Sequence, residues 1–146
     1  MRMRIEGSRT ALALMFAAGT AVAQTDALQP GLYEVELRTQ FSDAQGESVV
    51  PVSVVRRCVS ATEIQSPERL APNFSAAAAC VWSAHRPEPG GASWTVDCQG
   101  DPVMRGEAHV RWTKDRYAGE TRMVLRRGAE RMNMTQQYTA HRLGGC

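Results

Sequence analysis

The side chains with which this 146-residue chain could do chemistry are few: His85, His109 and His141, four cysteines, and the acids Asp97, Asp101 and Asp115. A hydrolytic triad or dyad needs a nucleophile beside one of the histidines. No nucleophile elbow, paired metal motif or phosphate loop accompanies them. His85 falls in a hairpin, where a solvated imidazole is the ordinary state. A small hydrolytic enzyme is therefore the weakest reading, and the chain is expected not to be an enzyme. Met104, Met123, Met132 and Met134, with His109 and His141, offer soft ligands suited to copper(I) in an oxidising compartment. Strand alternation puts Met132 and Met134 on one face with Met123 opposite Met134, but both histidines on the other face. The methionines are thus expected in the core, with no metal and no cofactor, and copper handling is retained as the alternative.

The cysteines read as covalent framework. Cys58, Cys80, Cys98 and Cys146 are an even set, none closer than 18 positions to the next, whereas zinc sites usually bring two ligands within a few residues. In a small exported domain such a set implies two disulfides. Turn-rich Pro87-Glu88-Pro89-Gly90-Gly91 separates two alternating segments. Centring a hairpin on Pro89 places Cys80 opposite Cys98, Trp82 opposite Val96, and Ala84 opposite Trp94, all on one face. Cys80–Cys98 is the expected pair, which leaves Cys58–Cys146.

The export expectation comes from the N-terminus. A basic stretch, Met1 to Arg9, precedes the apolar run Ala11 to Ala18, and Ala21-Val22-Ala23 supplies small residues for cleavage before Gln24. The run is too short to span a bilayer, which needs about 20 apolar residues, so no transmembrane anchor is expected. Residues 1–23 read as a signal peptide and 24–146 as a single β-rich domain, periplasmic or secreted. Of 17 basic and 15 acidic residues, Arg2, Arg4, Arg9 and Glu6 lie in the leader, leaving 14 of each. A neutral domain has no general electrostatic hold on nucleic acid, so nucleic-acid binding is not expected.

The elements that must position these residues are mostly strands. Tyr33, Val35, Leu37, Thr39 and Phe41 alternate with polar residues. Ser42 to Glu47 is turn chemistry. Val50, Val52 and Val54 start another strand, with Pro51 indicating an edge or an irregular beginning. Ser60-Ala61-Thr62-Glu63 has the capping-box pattern of a short helix, which Pro67 limits to one or two turns unless it opens a second piece. Pro72 to Ala79 reads as an exposed loop. Further strands run through Ala108–Trp112, Tyr117–Leu125 and Met132–Ala140. Their apolar faces agree when Val110 opposes Thr121 and Met123 opposes Met134, which also sets Arg111 against Glu120. The fold class is mainly β: an antiparallel meander of about seven strands, a strongly bent sheet or partial barrel or sandwich, with one short helix and two disulfides.

Several motifs then coincide with one family. Pro30-Gly31-Leu32-Tyr33-Glu34-Val35 resembles its opening Pro-Gly-Leu-Trp-Glu strand, and Cys58-Val59-Ser60-Ala61-Thr62-Glu63 its Cys-Leu-Thr-x-Glu segment. Cys80 and Cys98 match its middle cysteines and Tyr117-Ala118-Gly119 its Tyr-x-Gly strand. His141-Arg142-Leu143-Gly144-Gly145-Cys146 is similar to its Arg-Leu-Gly-x-Cys ending. The chain thus resembles the exported bacterial domain of unknown function 3617 family over nearly all of 30–146. One departure is that Val49-Val50-Pro51-Val52 lacks the methionines the family often carries before its first cysteine. The resemblance implies an exported, periplasmic bacterial protein and brings no catalytic residue.

The expected function is a non-catalytic binding module for an apolar ligand or a cell-envelope partner. Trp82, Trp94, Val110, Trp112, Met123, Met134 and Tyr138 share the inward face, where flexible methionines and large rings suit an adaptable apolar pocket. The simpler reading of the same residues is that they fill the core, since a small barrel can be packed solid. On the outward face Arg111, Arg122, Arg126, Arg127 and Arg131 form a candidate anion ridge, in which Arg126 and Arg131 sit opposite each other. Lipopolysaccharide, anionic phospholipid or an acidic protein patch would fit it, while the ordinary reading is a solvated face with Glu107, Glu120 and Glu130 nearby. The domain is expected to be monomeric.

Overall fold

In the computed structural model the described residues are 27–72 and 79–146. The leader with its cleavage site and most of the loop from Pro72 to Ala79 lie outside them. Strand β1 (Gly31–Asp43) alternates as its sequence demands, burying Tyr33 and Val35. It turns at Ala44–Gln45, where Asp43 Oδ1 accepts from the N–H groups of Gln45 and Gly46, and returns as β2 (Gly46–Val49). The ladder then breaks. Val50 keeps one bond to β1, its N–H donating to the Thr39 carbonyl at 3.0 Å, but Pro51 has no N–H to offer. Pairing resumes with β3 (Ser53–Val59), which runs along the first half of β1 with Ser53 facing Leu37 and Val59 facing Gly31.

Ser60 caps the one-turn helix α1 (Ala61–Ile64). Its hydroxyl accepts from the Glu63 N–H while the Glu63 carboxylate accepts from the Ser60 N–H, the reciprocal bonding the sequence signalled. Pro67 does open a second piece, a single 3₁₀ turn over Pro67–Arg69, after which Leu70 and Ala71 are buried.

A meander of long strands follows: β4 (Ala79–Glu88), β5 (Gly91–Gln99), β6 (Val103–Trp112), β7 (Arg116–Arg127) and β8 (Glu130–Gly144). Strand β8 does not end the sheet. It pairs with β1, giving the order β2-β1-β8-β7-β6-β5-β4, with β3 sharing the free side of β1 with β2. All eight strands are antiparallel and the sheet does not close, so β4 is one edge and β2 with β3 the other. Both disulfides form, Cys80–Cys98 across β4 and β5 and Cys58–Cys146 between β3 and the residue beyond β8. No helix among the described residues is long and apolar enough to cross a membrane.

The registers hold in part. Cys80 opposes Cys98 and Trp82 opposes Val96, but a bulge after Ser83 puts Arg86 opposite Ser93. Ala84 takes a left-handed backbone (φ +50°) and does not pair with Trp94, since a bulge inserts a residue that the partner strand lacks. Met123 opposes Met134 as expected. Between β6 and β7 the expected register is wrong by two residues: Val110 faces Gly119, not Thr121, and Arg111 faces Ala118, not Glu120. The turn centres on Lys114–Asp115, closed by the Thr113 N–H donating to the Arg116 carbonyl, one residue earlier than a register with Val110 opposite Thr121 requires. The slip preserves face parity. It sets Glu120 against His109 and Gly119 against Val110.

Candidate functional site

The inner face of the bent sheet is built from cross-strand rows, because antiparallel partners point the same way. One row runs Trp94, Ala108, Thr121, Gln136, Thr39. The next runs Ala92, Val110, Gly119, Tyr138, Leu37, and a third Trp112, Tyr117, Ala140, Val35. On the other side of the first lies the row Trp82, Val96, Gly106, Met123, Met134, Phe41. The inward set expected from the sequence is therefore assembled on one face. Trp94, Met123, Met134 and Tyr138 are buried, and Trp112 is half-buried. Trp82 is the exception: it stands on the edge strand β4 and is 42% exposed.

This face is not uniformly apolar. Among the described residues five buried side-chain atoms have no hydrogen-bond partner: Trp94 Nε1, Thr121 Oγ1, Gln136 Oε1, Tyr117 Oη and Tyr138 Oη. All five belong to the three adjacent rows just traced. Unpaired buried polar atoms cost about 1–3 kcal/mol each, and a patch of five is far from the usual satisfaction of buried groups. Gln136 has one weak tie, its Nε2 donating to Thr39 Oγ1 at 3.4 Å. Burial pushes the Tyr117 hydroxyl up to about 12 and raises that of Tyr138 as well. Both phenols stay neutral at physiological pH and can donate. Tyr117 is flanked by Tyr33 at 5.3 Å and Tyr138 at 6.2 Å between ring centroids, while Tyr33 is satisfied, donating to the Gln29 carbonyl at 2.5 Å. Sequence reasoning placed Thr121 and Tyr117 in their strand without a role and passed over Gln136. The signal was available: a glutamine at inward parity between Met134 and Tyr138.

Three of the four methionines follow the core expectation, while Met132 is half-buried near the end of the sheet. Met104, Met123 and Met134 are buried on the inner face, while His109 and His141 are exposed on the outer one. No group of three His, Cys, Asp or Glu among the described residues is placed to hold a metal. His85 lies 3.5 Å from Glu68 on the 3₁₀ turn.

The candidate anion ridge is broken up. Arg126 does face Arg131, but Arg122 is paired to Glu120 at 2.5 Å and Arg127 to Asp101 at 3.0 Å. Arg111 sits toward the opposite end of the sheet, beside Ala118. A different feature stands out at the free edge. Of the eight large apolar side chains exposed among the described residues, five are Val49, Val50, Val52, Val54 and Val55, a run along β2, the break and β3.

The model of a protein family of unknown function, DUF3617, matches residues 28–146. No curated protein matches the chain, and no solved structure does.

Proposed function

Since the chain belongs to the DUF3617 family, whose description names no activity, we propose a function from its own geometry: a non-catalytic binding module that holds a small amphipathic molecule on the inner face of its sheet. The observation that carries this is the patch of five unpartnered polar atoms on Trp94, Thr121, Gln136, Tyr117 and Tyr138. A wholly apolar guest would leave them unpaired, whereas a guest with a hydroxyl, amide or carbonyl group would satisfy them. The rings and methionines around them suit its apolar body. Residues 1–23 act in this reading as an export leader, and the mature domain works in the periplasm, where the two disulfides persist.

Native mass spectrometry of the protein purified from a bacterial periplasm tests the proposal. A chain beginning at Gln24 that carries an added mass of a few hundred daltons, lost on denaturation, is the expected result. A bare native mass, with no gain of thermal stability from a periplasmic small-molecule extract, overturns it.

A second reading rests on the exposed valines. An unpaired edge strand with apolar side chains is a template for strand addition, so a protein partner from the cell envelope would dock along Val49–Val55. Replacing Val52 and Val54 with lysine would abolish such an interaction and leave small-molecule binding unchanged.

A further inference from the structure

The outer face carries a second feature, built mainly from residues other than those of the inner patch, with Tyr117 common to both. Over the ends of β6, β7 and β8 lies an open hollow of 620 Å³. Its floor is low for a local reason. Arg111, Ala118 and Thr139 form one cross-strand row and Arg116 with His141 the next, so two short side chains sit among three long cationic or protonatable ones. Trp112, Tyr117 and Ala140, whose side chains belong to the inner face, border it where the strands end. Arg116 and His141 are directly opposed, and Arg111 is the diagonal neighbour of Arg116, roughly 7–8 Å away along the sheet. One small anion can meet all three.

The charge around the hollow is not taken up in ion pairs, although Asp115 adjoins Arg116 in the β6–β7 turn. No acid lines it. Glu120 is taken by Arg122 and Gln137, Glu36 by Arg38, and Glu34 by Arg56 at 3.0 Å, with His141 further off at 3.8 Å. Arg111 and Arg116 form no ion pair among the described residues, and both are exposed. Two guanidinium groups held near each other repel, and an anion accepting from both relieves that.

We infer that this hollow is a phosphate site, taking a soluble phosphate ester with a compact apolar or aromatic body. Arg111 and Arg116 clamp the phosphate, His141 donates a third hydrogen bond, and the body of the ligand lies over Ala118 and Thr139. Two positive charges match a dianionic monoester. A free molecule fits better than a lipid bilayer. The exposed apolar side chains that a bilayer would take up lie mostly on β2, β3 and β4, and only Leu143 shares a strand with the hollow.

Phenyl phosphate is the probe. Titration of the full domain, followed by calorimetry and by tryptophan emission, is expected to show saturable binding. Phenol, lacking the phosphate, should not bind. The double variant Arg111→Gln/Arg116→Gln should weaken binding by about tenfold or more, the loss of at least one charge-assisted contact, with an unchanged melting curve because neither side chain is buried or paired. Ala118→Leu, which keeps both arginines and fills the floor, should weaken it as well. Absence of saturable binding in the wild type, full binding by the double variant, or binding to phosphatidylglycerol vesicles but not to phenyl phosphate would each overturn the assignment.

Discussion

Gly119 faces Val110 on one side and Tyr138 on the other, and a β-carbon built there would collide with the Tyr138 hydroxyl and ring. The tyrosine ring lies over the glycine because nothing else fits beneath it. Gly119→Ala should therefore lower the free energy of unfolding by about 1–3 kcal/mol, the usual cost of overpacking a filled site, measured by urea denaturation. An unchanged midpoint would mean that both the ring and the His109 backbone carbonyl, which the β-carbon would also meet, can give way. Gln136 makes the opposite case. Its carbonyl oxygen is buried without a partner, so Gln136→Leu removes a desolvated group and is expected to raise the melting temperature of the empty protein while reducing the added mass it carries. A residue kept only for packing would show no such trade of stability against binding.

Elements show what the sequence could and could not say. The capping box of α1 was legible because its reciprocal bonds are local, and Ser60 and Glu63 make both of them. The hydrogen bond from the Ser60 backbone is the main reason the Glu63 carboxyl sits below its ordinary range, with the Ser60 hydroxyl and Arg57 adding to it. A carboxyl held low in the folded state stabilises the fold above its unfolded value, near 4.5, and that contribution fades as the pH falls through the folded value. Glu63→Gln should accordingly lose stability at neutral pH and show a smaller further loss on acidification to about pH 3, read from thermal melts across that range. The face of each strand was legible too, since alternation is a one-residue signal. The register of β6 against β7 was not. A slip of two residues keeps every inward side chain inward, so hydrophobic pattern has nothing to say about it, and a turn assigned one residue late was enough to misplace Arg111. The hollow it helps to form, with Arg116 and His141, depends on that register and could not be read beforehand. The inner patch was half legible: its rings were identified, its Thr121 and Gln136 were not.

At the scale of the molecule, the pairing of β1 with β8 was the least predictable feature, because nothing local links strands so far apart in sequence. The Cys58–Cys146 disulfide, which joins residues 88 positions apart, belongs to the same long-range closure. By loop-closure entropy it restrains the unfolded chain by about 4–5 kcal/mol. Cys58→Ser/Cys146→Ser should lose most of that in oxidising buffer and nothing further on reduction of this link, by chemical denaturation with and without reductant. Equal stability with the wild type would show that the β1–β8 ladder suffices alone. The ladder has another consequence, in time rather than in energy. Strand β1 is among the first parts of the domain to leave the ribosome, yet one whole side of it has no partner until β8 is made. With only the β2–β3 side paired, it must wait through the synthesis of five further strands. The native sheet thus cannot be completed before β8 exists, and throughout that interval the chain offers an unfinished strand that a chaperone can hold.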